Sequence, residues 1–93
     1  SVKSGDIKLG NYRFVFKAKK SGKISYISNN LVNRIAKLAG APFDKGAGVY
    51  LHFKLNDFVK KNSPLFIIYA ESREKLDYSK NLVSDKVVVV SRR

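Results

Sequence analysis

Cysteine is absent, so no disulfide staples the chain and no thiolate can bind a metal. That absence fits a reducing compartment, and a cytoplasmic location is expected. Acidic residues are scarce: seven stand against nineteen basic ones, a formal net charge of +12. No two carboxylates stand at a spacing that suggests acid–base work. No metal-ligand cluster is visible either. His52 is the lone histidine, and strand alternation puts it on an outer face. Long apolar runs are missing too. None approaches the length that spans a bilayer, and no signal-peptide pattern opens the chain, so no membrane partner is expected. Ser1 stands where an initiator methionine would, as expected of an excised domain or a processed terminus.

What is present suits one small domain. Ninety-three residues bury only about two-thirds of their unfolded surface, so the core is modest. A hydrophobic share of 44% is that of a folded domain rather than a disordered one. The positive charge attracts polyanions such as nucleic acid or phosphorylated substrates. Equally, it keeps a domain soluble or faces an acidic neighbour, because charge informs on partners and not on fold.

Residues 1–10 read as a linker or lead-in segment, and 11–93 as the folded domain. Residues 12–19 alternate, with Tyr12, Phe14, Phe16 and Ala18 on one face. Lys20-Ser21-Gly22 signals a turn, and residues 24–27 read as a second strand, hairpin-paired with the first. Asn29 and Asn30 are N-cap candidates for a helix whose apolar face is Leu31, Ile35, Leu38 and Ala39. Gly40 ends it and Pro42 blocks continuation. Val49, Leu51 and Phe53 alternate inward, with Tyr50, His52 and Lys54 outward. Phe58-Val59 is a short strand. Residues 65–70 form an apolar strand expected to be buried on both faces. Ser72 caps a second helix, with Glu71 and Glu74 favourable to its dipole and Leu76 and Val83 on its buried side. Residues 87–90 are the last strand, and Arg92-Arg93 end in solvent. The order is β-β-α-β-β-β-α-β. It defines an α+β fold: a small mixed domain with barrel-sandwich-like strands and two helices.

The best candidate site is the loop bearing Gly40, Pro42, Asp44, Lys45, Gly46 and Gly48. Glycine lets a backbone approach a ligand and expose its N–H groups, and Lys45 is placed to meet a phosphate. The order is not that of a Walker loop, and tight connections use glycine for backbone angles alone. Asp44-Lys45 also resembles the attachment turn of lipoyl domains, though Gly46 follows and a helix precedes. Arg13-Phe14-Val15-Phe16-Lys17 interleaves cations and aromatics as RNA-binding sheets do, but lacks the glycines of that motif. The plainer alternative sends Phe14 and Phe16 into the core.

Several segments together resemble one family. They are Gly22-Lys23-Ile24, Asn30-Leu31, Ile35-Ala36, Ala39-Gly40-Ala41-Pro42, Asp44-Lys45-Gly46-Ala47-Gly48, Pro64-Leu65-Phe66 and Ile68-Tyr69-Ala70-Glu71-Ser72. They look like the C-terminal domain of the thymidine and pyrimidine nucleoside phosphorylases, and most of all like the archaeal AMP phosphorylase branch. The resemblance implies an α+β domain with a β-hammerhead. It implies a full enzyme that cleaves an N-glycosidic bond of AMP or thymidine with inorganic phosphate as co-substrate and no other cofactor. Its partners would be the remaining domains of the same chain, in a homo-oligomer. The family's Gly-Thr-x-Asp signature is absent here, so no catalytic residue carries over and the isolated domain is expected to be inactive. The loop at 40–48 would face the interdomain cleft and serve closure or domain contact. Asn56-Asp57 and Asn62 stand where related chains place turn glycines. The alternative is a stand-alone basic nucleic-acid-binding module.

Overall fold

A computed structural model describes residues 10–91. Apart from Gly10, the expected linker lies outside them, as do Arg92 and Arg93. The elements are β1 (Tyr12–Lys17), β2 (Gly22–Ile27), α1 (Asn29–Ala39), β3 (Gly48–Leu51), β4 (Phe58–Val59), β5 (Pro64–Ala70), α2 (Arg73–Lys80) and β6 (Val88–Ser91). Their order is the one expected from sequence, and the fold is α+β. The described strands make two antiparallel three-stranded sheets, ordered β1-β5-β3 and β4-β2-β6.

The expected β1–β2 hairpin does not form. β1 pairs with β5, from Tyr12 opposite Ala70 to Lys17 opposite Pro64. β2 pairs with β4 and β6 in the other sheet. The connection explains the split. Buried Ala18 donates its N–H to Ser63 O and accepts from Asn62 N–H, at 2.9 and 2.8 Å. Lys61 N–H donates to Ser21 Oγ at 2.9 Å. The chain leaving β1 is thus tied to the turn before β5, and crosses to the second sheet instead of folding back on itself.

β5 is the centre of the first sheet. Phe66, Ile68 and Ala70 are buried on one face; on the opposite face Leu65 is buried while Ile67 and Tyr69 are half-buried. The expectation of burial on both faces therefore holds fully for one face and only at Leu65 on the other. α1 packs on β3 and β5, and α2 on β1 and β5, so both helices cover one side. On that side the register aligns Phe14 with Ile68 and Phe16 with Phe66. The Phe16 and Phe66 rings stack at 5.0 Å, and Lys80 Nζ lies 5.0 Å over the Phe14 ring. On the other side Tyr50 meets Tyr69 edge to face at 5.2 Å. Ile24, Ile35, Val87 and Val88 complete the core. Leu51, expected inward, and Tyr12 and Leu38, each assigned to an apolar face, are about two-fifths exposed.

Helix ends follow local chemistry. The N-cap of α1 is Ser28 rather than Asn29 or Asn30. Its backbone is extended, and its Oγ accepts Leu31 N–H at 3.2 Å. Ser28 N–H also donates to Val87 O at 2.8 Å, pinning the cap to the segment before β6. Both asparagines are already helical. At the other end Gly40 adopts φ 124, its N–H reaches Lys37 O, and Ala41 N–H reaches Ala36 O. This is the Schellman arrangement, which favours glycine. Ser72 caps α2 as expected, its Oγ accepting Lys75 N–H at 3.2 Å. No described helix is long and apolar enough to cross a membrane.

The two asparagine turns keep their shape without glycine. Asn56 and Asn62 adopt φ 78 and 73, the left-handed region that asparagine tolerates best among residues with a side chain. Asp57 Oδ2 closes the first turn by accepting Lys54 N–H at 2.7 Å.

Two outcomes follow for urea unfolding of the chain. Phe66→Ala is expected to remove about 3–5 kcal/mol. Asn56→Ala is expected to cost roughly 1 kcal/mol through its left-handed backbone, whereas Asn56→Gly should be nearly neutral. Equal midpoints for the Ala and Gly variants would contradict the turn geometry.

Candidate functional site

The loop between α1 and β3 begins at the Schellman turn and is tied down along its length. Ala41-Pro42 is a cis peptide. Asp44 N–H donates to Gly40 O at 2.8 Å, and Ala47 N–H to Asp44 O at 3.1 Å. Gly46 is buried; its N–H donates to Glu71 Oε2 and its carbonyl accepts Gly10 N–H, both at 2.9 Å. Lys75 Nζ meets Asp44 Oδ2 at 2.5 Å. Exposed ion pairs are worth at most about 1 kcal/mol, so this one orients Asp44 more than it stabilises the fold. The loop is thereby held from α1, from Gly10 ahead of β1, from Glu71 just after β5 and from α2.

Gly40 is needed for space as well as angle. A Cβ there would fall on the Asp44 carboxylate, against the Oδ2 atom. Gly48 opens β3 near the extended limit, where a Cβ would meet only the Tyr50 ring at ordinary contact distance.

Those ties decide what the loop can do chemically. The N–H groups of Asp44, Gly46 and Ala47 are all spent on internal acceptors. Glu71 carboxylate occupies the position an anion would take at Gly46. The loop is built to hold a shape rather than to cradle a phosphate. Lys45 is exposed beside Gly46, between a helix and a strand rather than at a hairpin turn. Among the described residues no group of three His, Cys, Asp or Glu side chains could hold a metal.

What the loop turns outward is apolar and basic. Phe43 is 91% exposed, and Pro42 is exposed beside it. A groove of about 480 Å³ runs along Leu38, Ala41, Pro42 and Phe43, with Lys37 and Lys75 on its sides. Arg34 and Leu82 line a second groove of about 270 Å³ that continues past Lys37 and Leu38.

Of the six candidate residues, Gly40 caps α1, Gly48 opens β3, and Pro42, Asp44, Lys45 and Gly46 lie in the braced loop between them. Sequence reasoning missed Glu71 and Lys75, the braces, and Phe43, the tip. Glu71 had been assigned to the helix dipole; its partner lies 25 residues earlier, a separation that no local pattern reveals. The aromatic stripe in β1 has no open ring to offer a base, since Phe14 and Phe16 are half-buried and engaged. Nothing supports the nucleic-acid alternative.

The chain is similar in sequence to known proteins. The sequence model of the pyrimidine nucleoside phosphorylase C-terminal domain matches residues 23–90. An AMP phosphorylase of Thermofilum pendens is 42% identical over 88 residues, covering 94% of this chain and 17% of the relative. One from Thermococcus sibiricus is 46% identical over 77 residues, covering 83% and 15%. One from Pyrococcus abyssi is 41% identical over 93 residues, covering 100% and 17%. The chain therefore spans 15–17% of the length of these curated relatives.

The bracing has a direct test. Glu71→Ala is expected to cost about 1–3 kcal/mol by leaving Gly46 N–H without its acceptor, and to speed amide exchange at Gly46 by NMR. Gly40→Ala should cost a similar amount, roughly 1–3 kcal/mol, through strain and the clash with Asp44. An unchanged Gly46 exchange rate in the Glu71 variant would remove the brace from the account.

Proposed function

The chain belongs to the family of pyrimidine nucleoside phosphorylase C-terminal domains, and from that premise we propose that it is the largely noncatalytic tail of a nucleotide or nucleoside phosphorylase. The full enzyme cleaves the N-glycosidic bond with inorganic phosphate as co-substrate. A phosphate oxygen bonds to the sugar C1′ as the base departs, giving a free base and a sugar 1-phosphate. AMP is the first substrate to try, because the relatives above are named AMP phosphorylases. Its products would be adenine and ribose 1,5-bisphosphate. Thymidine is the second. The partners are the remaining domains of the same chain and further copies of it in a homo-oligomer, and the reading carries a cytoplasmic enzyme.

One observation supports a positioning role for this domain. The loop at 40–48 spends Asp44 and Glu71 on its own bracing while it turns Pro42, Phe43 and Lys45 outward. Carboxylates committed to shape hold a surface in place; they do not move protons on a substrate. A fixed loop at a domain boundary can set the separation of reacting groups, to which rates are steeply sensitive.

The test is phosphate-dependent base release by the full-length protein, with AMP and thymidine assayed separately. Lys45→Ala in that protein is expected to lower kcat/KM by a few-fold, on the order of what an exposed charge at an interface contributes, without loss of fold. No base release from either substrate would sink the activity; unchanged kinetics and assembly in the Lys45 variant would count against the contact role.

A further inference from the structure

We propose that Phe43 is a docking knob that inserts into an apolar pocket with an acidic rim on another domain of the same polypeptide. This rests on the phosphorylase reading and adds the contact residue and the chemistry of its receptor. The ring is 91% exposed, although burying such a side chain is among the larger gains open to any residue. A mobile loop would fold it back onto the domain. This loop cannot, because the next residue, Asp44, is fixed through its N–H to Gly40 O and through its carboxylate to Lys75. Gly46 is fixed on its far side by Glu71. A knob held in its bound position loses little freedom on docking.

The surroundings define the receptor. Leu38, Ala41 and Pro42 extend the apolar surface behind the ring along the same groove. Lys37 lines that groove, Lys45 follows two residues after the ring and Arg34 lines the adjoining groove, while the single carboxylate of the loop, Asp44, is taken up by Lys75. The complementary surface is therefore an apolar socket flanked by Asp or Glu. The occupant is intramolecular because the relatives, matched over 83–100% of this chain, are several times longer, the matched part making up 15–17% of them. Most of the polypeptide against which it packs lies outside the domain.

Hydroxyl-radical footprinting of the full-length protein reads the side chain without mutation, by mass spectrometry of the peptide that carries Phe43. Phe43 oxidation is expected to be slowed about tenfold or more relative to the urea-unfolded protein, with the protection kept on dilution to monomers. Phe43→Ala touches nothing in the core and should leave the domain folded. It is expected to raise backbone exchange across residues 40–48 about tenfold, and Phe43→Leu to restore most of the protection. Oxidation as fast as in the unfolded chain overturns the proposal. So does exchange unchanged by Phe43→Ala. Protection lost on dilution overturns the intramolecular receptor and gives the site to a second copy. A full-length protein that shields Phe43 yet releases no base from AMP or thymidine keeps the knob and removes the activity.

Discussion

Water must be kept from β5, and most of the architecture follows from how that is done. Seven residues, Pro64–Ala70, carry no charge and include four fully or nearly fully buried side chains. Such a strand needs hydrogen-bond partners along both edges, because unpaired buried backbone groups are costly. β1 and β3 supply them. It also needs a cover on the face holding Phe66 and Ile68, which the two helices provide. Once β1 is committed to β5, β2 has no partner in that sheet and must build a second one with β4 and β6. The two-sheet architecture is thus a consequence of where the strongest apolar segment lies in the chain.

The same strand sets the attitude of the loop at 40–48. β5 ends at Ala70, and the next residue, Glu71, reaches back to the buried N–H of Gly46. Ser72 then caps α2, whose first turn carries Lys75 to Asp44. Three successive features after β5 therefore hold the loop that follows α1. Core burial fixes β5, β5 fixes Glu71 and α2, and these fix the attitude of Phe43. Changes far from the loop, in the packing of β5, have a physical route to its tip.

Local signals were legible and distant ones were not. The end of α1 at Gly40 is a short-range event, decided by a glycine in the left-handed region and a proline two residues on, and it reads directly from the order of residues. The cap of α2 at Ser72 is equally local. Strand partnership is not local. Lys20-Ser21-Gly22 looks like a hairpin turn, yet Ala18 bonds to residues more than forty positions away and redirects the chain. The cap of α1 shows the same competition on a small scale. Asn29 and Asn30 are good caps by type, but Ser28 is the residue that β2 leaves in an extended conformation and that Val87 holds there. Asn56 and Asn62 stand where glycines were expected, and the backbone keeps the left-handed angle because the short amide side chain tolerates it. In the loop, the glycines, Asp44 and Lys45 were visible as types, while Glu71 was invisible as a brace because its partner is set by tertiary packing.

The charge can now be placed. Nineteen cations face seven anions, so at least twelve lack a one-to-one partner within the chain, whatever its conformation. The two ion pairs between described residues are an exposed one, Lys19 with Asp85, and the Lys75–Asp44 brace. The remaining positive field must be met by solvent ions or by another surface. Nucleic acid would meet it through phosphates, but the Arg13–Lys17 stripe has no open ring on which a base could stack, because Phe14 and Phe16 are engaged by Lys80 and Phe66. The large aromatic left open beside the loop is Phe43 at its tip, on a convex, braced projection rather than a flat platform. A projecting ring with Lys37 along its groove and Lys45 two residues on suits a concave socket with carboxylates at its rim.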